Sequence, residues 1–213
     1  LVVHEQNAIP GLTNRILAKL ARRQLEAFPG TFAKRRTVLT TGNPVRSEIS
    51  GVPAVQIDVD RPRRILVLGG SQGAKALNEL LPRTLGAVRT PVEVVHQCGP
   101  SHLEAATEAY RGADIPVQLV PYIDDMAEAY ANADLVVCRA GAMTVCEVAA
   151  AGRAALFIPF PYAVDNHQYA NARYLVDAGA ARVMEERTLD ADTLAQALEE
   201  LLSAPDSLEA MGA

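Results

Sequence analysis

Residues 65–74 read ILVLGGSQGA, an apolar run of strand length that passes through a glycine-centred turn into a helical pattern. Residues 135–144 read LVVCRAGAMT and follow the same course. A strand that ends in glycine and leads into a helix directs unpaired backbone N–H groups and the positive end of the helix dipole at one spot, where phosphate binds. Two such turns in one domain indicate a ligand that carries a diphosphate with polar groups at either end.

Segments of strand length alternate with helical segments from residue 64 onward. Strands are predicted at 64–69, 92–96, 117–121, 134–138, 154–159 and 180–184, and helices near 73–88, 101–112, 124–132, 143–152, 166–178 and 190–203. The strands are mostly uninterrupted runs of Val, Ile and Leu, as expected where both faces of a sheet are covered. The sequence therefore predicts the α/β class, with a doubly wound parallel sheet of Rossmann-like type.

The chain before residue 64 is less regular. Residues 11–27 are predicted to form one amphipathic helix. Its apolar side would be formed by Leu12, Ile16, Leu20 and Leu25. Residues 51–63 contain two prolines and few apolar side chains, so we expect an irregular linker there.

Length and composition are those of a globular protein. The 213 residues are enough for one large or two small domains, and the hydrophobic fraction of 49% and charged fraction of 21% are ordinary. No apolar run approaches the ~18 residues of a membrane-spanning helix. Because Leu1-Val2-Val3 has no initiator Met and reads like the middle of a strand, we expect a piece of a longer chain.

Cysteine spacing and charge point to the environment of the protein. The three cysteines form an odd set without Cys-x-x-Cys spacing, which favours buried thiols in a reducing cytoplasm over disulfides or zinc. Residues 1–46 carry eight Lys/Arg against two acidic residues, whereas residues 47–213 carry twelve against twenty-three. The basic residues cluster at Lys19, Arg22 and Arg23 and again at Lys34, Arg35 and Arg36. These clusters could face anionic lipid or an anionic substrate, or could be a solvated surface.

The turn at residues 69–74 matches no standard nucleotide motif. It lacks the Gly-x-Gly-x-x-Gly pattern of dinucleotide sites and the Gly-Lys-Ser/Thr of triphosphate loops. Its glycines permit close approach of a ligand to the backbone, and Ser71 and Gln72 add hydrogen-bonding side chains without charge. The alternative is a tight strand-to-helix turn with no ligand.

Two other motifs also have a structural and a functional interpretation. Thr144 and Glu147 have the spacing of a helix capping box, but Glu147 could instead accept hydrogen bonds from two neighbouring ribose hydroxyls. Asp165 could be a helix N-cap, but the polar run from Asp165 to Gln168 also suits sugar hydroxyls.

No metal site or cofactor is predicted. The segment His4-Glu5-Gln6-Asn7 begins like a zinc protease motif but has Ala8 where the second histidine belongs. Asp58 and Asp60 have the Asp-x-Asp spacing that some sugar transferases use for a metal, yet they lie in the predicted linker rather than at a strand end.

Six motifs in the chain closely resemble, in order, those of the MurG family of N-acetylglucosaminyltransferases, which complete the lipid-linked peptidoglycan precursor. The motifs are HEQN at 4–7, GNPVR at 42–46, GGSQGA at 69–74, YIDDM at 122–126, RAGAMT at 139–144 with Glu147, and DNHQ at 165–168. The resemblance implies the GT-B arrangement, in which two Rossmann-like domains face a cleft. Residues 1–45 would be the end of the acceptor domain, and residues 46–213 the UDP-sugar donor domain.

The resemblance also implies a donor site. Asn7 and Arg46 would reach the donor from the cleft side, Ser71 would contact the phosphates, and the Ile123 backbone would read the uracil edge. Ala142, Met143 and Thr144 would surround the diphosphate, with Glu147 on the ribose and Gln168 on the N-acetylglucosamine. The set is completed by Gln72, Val145 and Cys146. Met143, Cys146 and His167 stand where the family often has Leu, Ser and Gln.

The reaction implied by the resemblance is inverting transfer of N-acetylglucosamine from UDP-N-acetylglucosamine to lipid I at the cytoplasmic face of the membrane, with no nucleic-acid partner. The family's glycine-rich acceptor loop, which holds a candidate catalytic base, is missing from this chain, so the catalytic residue is unknown. One alternative is a binding module without turnover. The other is an NAD-dependent oxidoreductase, which is disfavoured because no acidic residue ends a second strand about 20 residues after the first glycine turn.

Overall fold

The computed structural model describes residues 1–33, 36–70 and 74–213 and contains two parallel sheets. The first sheet has three strands in the order β1-β2-β3. They are β1 (Val2–Glu5), β2 (Arg23–Glu26) and β3 (Val38–Thr40). Helix α1 (Leu12–Leu17) connects β1 to β2, and the short helix α2 (Ser47–Ser50) follows β3.

The single helix predicted over residues 11–27 is wrong beyond Leu17. Strand β2 occupies the second half of that segment, with Gln24 and Glu26 buried in it. The Gln24 amide donates to the carbonyl oxygens of Ala18 and Ala21, and the Glu26 carboxylate accepts hydrogen bonds from residues that follow β2. Apolar residues four or five positions apart therefore gave a misleading helical pattern, because long-range pairing and buried polar groups outweigh local propensity.

The second sheet has six strands in the order β6-β5-β4-β7-β8-β9. They are β4 (Arg63–Leu68), β5 (Val92–Gln97), β6 (Val117–Val120), β7 (Leu135–Cys138), β8 (Ala154–Phe157) and β9 (Ala181–Val183). All neighbouring strands are parallel. Counted from β4, this is the 3-2-1-4-5-6 order of doubly wound folds, so the predicted fold class is confirmed.

Helices cover this sheet in two layers. They are α3 (Lys75–Leu85), α4 (Leu103–Tyr110), α5 (Met126–Ala131), α6 (Ala142–Ala150), α7 (His167–Asp177), α8 (Ala191–Leu202) and α9 (Pro205–Gly212). Ile65 and Val67 of β4 face the cluster formed with α3, α4, α8 and α9, whereas Leu66 and Leu68 face the cluster formed with α2, α5, α6 and α7. Burial on both faces explains the uninterrupted apolar strands, and each fully buried side chain of this size contributes about 1.5–3 kcal/mol.

The carboxyl ends of β4 and β7 form the switch point of the second sheet. These two strands are neighbours, with Leu68 opposite Cys138. The chain leaves β4 toward α3 in one layer and leaves β7 toward α6 in the other. Ligands of doubly wound sheets bind in the crevice expected at such a point, where the two connections lead to opposite faces of the sheet.

Residues 51–62 form no helix or strand, in agreement with the predicted irregular linker. They are nevertheless tied to the second sheet. Arg153 donates to the Pro53 carbonyl oxygen at 2.9 Å, and the Ile57 N–H donates to the Glu209 carboxylate at 2.6 Å. The path from the first sheet to the second is therefore held in place by side chains from α9 and from the turn before β8.

Candidate functional site

The turn after β7 presents the start of helix α6 to the crevice. Gly141 is the N-cap, with an extended backbone (φ −62°, ψ 146°) and no side-chain cap bond. The Val145 N–H donates to the Gly141 carbonyl oxygen at 2.9 Å, which closes the first turn of the helix. The N–H groups of residues 142–144 belong to the first turn and have no carbonyl partner within the helix. They lie at the positive end of the helix dipole, and such an arrangement attracts anions.

The capping-box interpretation of Thr144 and Glu147 is wrong. Because Gly141 is the N-cap, Thr144 is the third residue of the helix rather than its cap. Glu147 lies further along α6, where its Oε2 accepts a hydrogen bond from the Tyr130 hydroxyl at 3.3 Å. Its Oε1 lies 3.6 Å from the Arg46 guanidinium. The Glu147 carboxylate is thus held beside the crevice by side chains from two other segments.

Tyr130 is a fully buried residue at the end of α5. Burial, together with the nearby Cys138 and Glu147, raises the pKa of the Tyr130 phenol, so the hydroxyl stays protonated and donates. Ile123 lies at the other end of α5, just before its N-cap Asp125. Helix α5 therefore connects the segment predicted to read uracil with the carboxylate predicted to bind ribose.

Tyr122 and Ile123 also border a groove of about 770 Å³ that runs along the uncovered faces of β5 and β6. The sequence predicts a uracil contact from the Ile123 backbone, and this residue is half-buried and lines the groove. Ile123 follows the carboxyl end of β6, so it lies on the same edge of the sheet as Gly141.

The cleft side of the site is organised by Glu5. Its carboxylate accepts hydrogen bonds from the Asn7 N–H (3.0 Å), the Asn7 amide (3.3 Å), the Gly11 N–H (3.1 Å) and the Asn14 amide (2.8 Å). Burial alone would raise the pKa of Glu5, but these hydrogen bonds outweigh burial and keep the pKa below its usual range. Glu5 is therefore charged at neutral pH and fixes Asn7 at the cleft.

Asn171 connects the cleft side to the turn after β7 and Asn43 connects it to helix α6, and neither was predicted from the sequence as a site residue. Asn171 of α7 bonds to Asn7, Ala8 and Ala140. Asn43 donates to the Cys146 Sγ at 3.4 Å. The only signal in the sequence for Asn171 was an asparagine inside a helix, where that residue has poor propensity.

The loop before α7 carries strained backbone. Asp165 and Asn166 have φ values of 52° and 53°, a left-handed region that non-glycine residues seldom adopt. Asn166 occupies the N-cap position, so the N-cap interpretation of Asp165 is wrong; Asp165 instead pairs with Arg15 at 2.9 Å. The Gln168 Oε1 accepts from the Phe160 N–H at 2.9 Å. A cavity of about 360 Å³ lies between this loop and the segment around Asn7.

The remaining predicted residues differ in what the structure brings to the site. Ser71 and Gln72 lie outside the described residues. Gly70, just before them, has a φ of +75°, which glycine adopts without strain. The Val145 side chain is fully buried in the core beneath α6, and its N–H is already bonded, so Val145 supports the turn rather than lining the crevice. Met143 and Cys146 are half-buried on the same helix.

Within residues 1–33, 36–70 and 74–213, no group of three or more His, Cys, Asp and Glu side chains is arranged to hold a metal ion. The Asp58 carboxylate instead accepts from the Asp60 N–H at 2.9 Å, which closes a turn. The three cysteines are free thiols. In the same described ranges, no helix has the length and apolar character needed to cross a membrane.

Comparison with known proteins confirms the resemblance. Residues 64–213 match the family described as glycosyltransferase family 28 C-terminal domain. The chain is 54% identical over 211 residues to the "UDP-N-acetylglucosamine--N-acetylmuramyl-(pentapeptide) pyrophosphoryl-undecaprenol N-acetylglucosamine transferase" of Nitrosococcus oceani, covering 94% of this chain and 57% of that protein. It is 50% identical over 209 residues to the protein of the same name from Aeromonas hydrophila, covering 98% and 58%.

Solved structures give the same picture. The crystal structure of Acinetobacter baumannii MurG superposes with a TM-score of 0.88 at 43% identity, covering 99% of this chain and 60% of that one. A calicheamicin glycosyltransferase superposes with a TM-score of 0.59 at 17% identity, covering 96% and 50%, which is a likeness of fold alone. The chain thus spans 57–60% of the length of these MurG-type relatives.

Proposed function

Because the chain belongs to the family of the glycosyltransferase family 28 C-terminal domain, we propose that it supplies the donor site of an inverting hexosyltransferase. The donor is UDP-N-acetylglucosamine and the acceptor is the muramoyl 4-hydroxyl of lipid I, which is converted to lipid II. The names of the relatives support this choice of donor and acceptor. The observation that carries the proposal is the start of α6 at the switch point, with the Glu147 carboxylate behind it.

The chemistry follows from charge development. The acceptor oxygen attacks the anomeric carbon as its proton passes to a general base, the bond from that carbon to the diphosphate oxygen breaks, and UDP leaves with additional negative charge. Backbone N–H groups of Ala142, Met143 and Thr144 and the dipole of α6 stabilise that charge without reorganising. Removing one donor of this kind typically costs about 3 kcal/mol of transition-state stabilisation.

The other predicted residues hold the two ends of the donor. Glu147 offers two acceptor oxygens to the ribose diol, with Tyr130 and Arg46 fixing its position. The Ile123 backbone reads the uracil edge, and Gln168 binds hydroxyls of the N-acetylglucosamine. Contacts to the phosphates come from Ser71 and Gln72, and cleft-side contacts from Asn7 and Arg46.

We propose residues 1–45 as part of the acceptor domain and residues 46–213 as the donor domain. The glycine-rich acceptor loop expected to hold the catalytic base is not among these 213 residues. The chain by itself should therefore bind the donor without turning it over.

Calorimetric titration of the chain with UDP-N-acetylglucosamine, UDP and NAD tests the donor assignment. We expect UDP-N-acetylglucosamine and UDP to bind and NAD to give no measurable heat. Binding of NAD with similar affinity would favour the oxidoreductase alternative. Incubation with a soluble lipid I analogue should give no glycosyl transfer, and measurable transfer would refute the binding-only behaviour of these residues.

We further propose that the basic segment of residues 1–46 contacts the cytoplasmic face of the membrane. Leu12, Ile16 and Leu20 are 72%, 54% and 75% exposed, although they are large and apolar. Lys19, Arg22 and Arg23 are exposed close by in sequence. Exposed apolar side chains beside basic ones are typical of surfaces that bind anionic lipid.

Replacing Lys19, Arg22 and Arg23 by glutamine is expected to lower binding to anionic vesicles about a hundredfold, because each basic residue near such a surface contributes about 1 kcal/mol. Co-sedimentation with vesicles of phosphatidylglycerol and phosphatidylcholine measures the change.

A matched control replaces Arg83, Arg111 and Arg173 by glutamine, since these arginines are exposed on helices that cover the second sheet or directly after one of them. This control variant should bind vesicles like the unsubstituted chain. Equal losses in the two triple variants would mean that net charge rather than this segment determines lipid binding.

A further inference from the structure

Asn171 is a fully buried polar residue in the interior of helix α7. Its Oδ1 accepts a hydrogen bond from the Ala8 N–H at 2.8 Å. Its Nδ2 donates to the Asn7 Oδ1 at 3.2 Å and to the Ala140 carbonyl oxygen at 3.2 Å. One side chain therefore joins the segment after β1 to the turn after β7.

The orientation of this amide is determined by its partners. The Ala8 N–H can only donate and the Ala140 carbonyl can only accept, so Oδ1 must face Ala8 and Nδ2 must face Ala140. Both Nδ2 hydrogens are then used. A buried amide costs free energy unless its hydrogen bonds are made, and here they are made to groups far apart in sequence.

Asn7 is held at both ends as a result. Its Nδ2 donates to the Glu5 carboxylate, and its Oδ1 accepts from Asn171. The Ala140 carbonyl oxygen that Asn171 also binds immediately precedes Gly141, the N-cap of α6. The distance between the Asn7 side chain and the start of α6 is thus set through a single residue.

We propose that Asn171 is a positioning residue, which keeps Asn7 on the hexose side of the donor in register with the diphosphate-binding turn. The inference rests on the proposed donor function. UDP ends at the diphosphate and so does not need the contacts on the hexose side. UDP-N-acetylglucosamine also extends toward Asn7 and the neighbouring cavity, so it needs both sides in register.

Asn171→Asp tests this role because the new side chain has nearly the same volume and still accepts from Ala8, but it cannot donate to Asn7 or Ala140. We expect about tenfold weaker calorimetric affinity for UDP-N-acetylglucosamine and less than a twofold change for UDP. In an Asn7→Ala background, Asn171→Asp should cause no further loss. Equal weakening for both ligands, or the full loss in the Asn7→Ala background, would overturn the proposal.

A measurement on the unsubstituted chain keeps the proposal testable if Asn171→Asp does not fold. Amide hydrogen exchange of Ala8 should slow at least fivefold with saturating UDP-N-acetylglucosamine and stay unchanged with UDP, and equal slowing by both would overturn the proposal. If the unsubstituted chain bound neither nucleotide, the donor function itself would fail, and this inference with it. Normal binding with an unaffected variant would overturn this inference alone.

Discussion

Replacing Glu147 by alanine should lower the affinity of the chain for UDP about a hundredfold while leaving the fold intact. A hydrogen bond to a charged group contributes about 1.5–3 kcal/mol, and two ribose hydroxyls would lose their acceptors together. A loss of about 2.8 kcal/mol corresponds to a hundredfold change in the dissociation constant. The ion pair with Arg46 adds little to stability, because the Arg46 side chain is 55% exposed.

Calorimetric titration with UDP measures this effect, and circular dichroism checks the fold. Tyr130→Phe removes only the hydroxyl that fixes the carboxylate, so a smaller loss of affinity is expected. The matched control is Glu104→Ala, which removes an exposed carboxylate on α4 and should bind UDP normally. Unchanged affinity in Glu147→Ala would remove Glu147 from the site.

Replacing Asp134 by asparagine should lower the free energy of unfolding by about 3 kcal/mol. The Asp134 side chain is fully buried before β7 and accepts two hydrogen bonds of 2.7 Å from Arg61 and one of 2.8 Å from the Arg64 N–H. Breaking a buried pair typically costs about 3–5 kcal/mol, and the lower end applies because both arginines are partly exposed. In thermal unfolding, the midpoint should fall by roughly 6–12 °C.

The same substitution should change the pH dependence of stability. Burial alone would raise the pKa of Asp134, but the bonds and charges of Arg61 and Arg64 outweigh burial and lower it. The stabilisation is therefore present above the unfolded pKa of about 3.9 and is lost as the pH falls through the lower folded value. Urea unfolding at pH 6 and pH 3 measures the free energy of unfolding of Asp134→Asn and of the unsubstituted chain. The difference between the two proteins should be smaller at pH 3. The control Asp114→Asn replaces an exposed carboxylate and should unfold with the same free energy as the unsubstituted chain at either pH. A difference for Asp134→Asn that is the same at both pH values would contradict the lowered pKa of Asp134.

The second sheet could be predicted from the sequence, and the first could not. Strands β7 and β8 and the apolar part of β4 are buried on both faces, so they are continuous apolar runs, and each of β4 to β9 lies within two residues of its predicted bounds. Strand β2 instead buries Gln24 and Glu26, whose hydrogen-bond partners are set by the tertiary fold. A pattern of apolar residues cannot reveal a strand that is buried through polar side chains.

The candidate site shows the same division. The turn at Gly141 and the carboxylate at Glu147 follow from local sequence, because a glycine between a strand and a helix is a local feature. The supports of the site come from distant segments: Tyr130 is 17 residues from Glu147, and Asn171 is 164 residues from Asn7. Nothing in a single sequence states which distant residues meet, so these supports became visible only with the fold.

Glycine has different uses at the two turns of the switch point. At Gly70 the backbone torsion itself requires it, with a φ of +75°. At Gly141 the torsion suits any amino acid, and a methyl group built there would lie 3.6 Å from the Thr144 hydroxyl, an ordinary contact. The folded chain alone therefore tolerates alanine at 141. In the proposed donor site, the hydrogen in place of that methyl group would give a nucleotide clearance against the peptide plane.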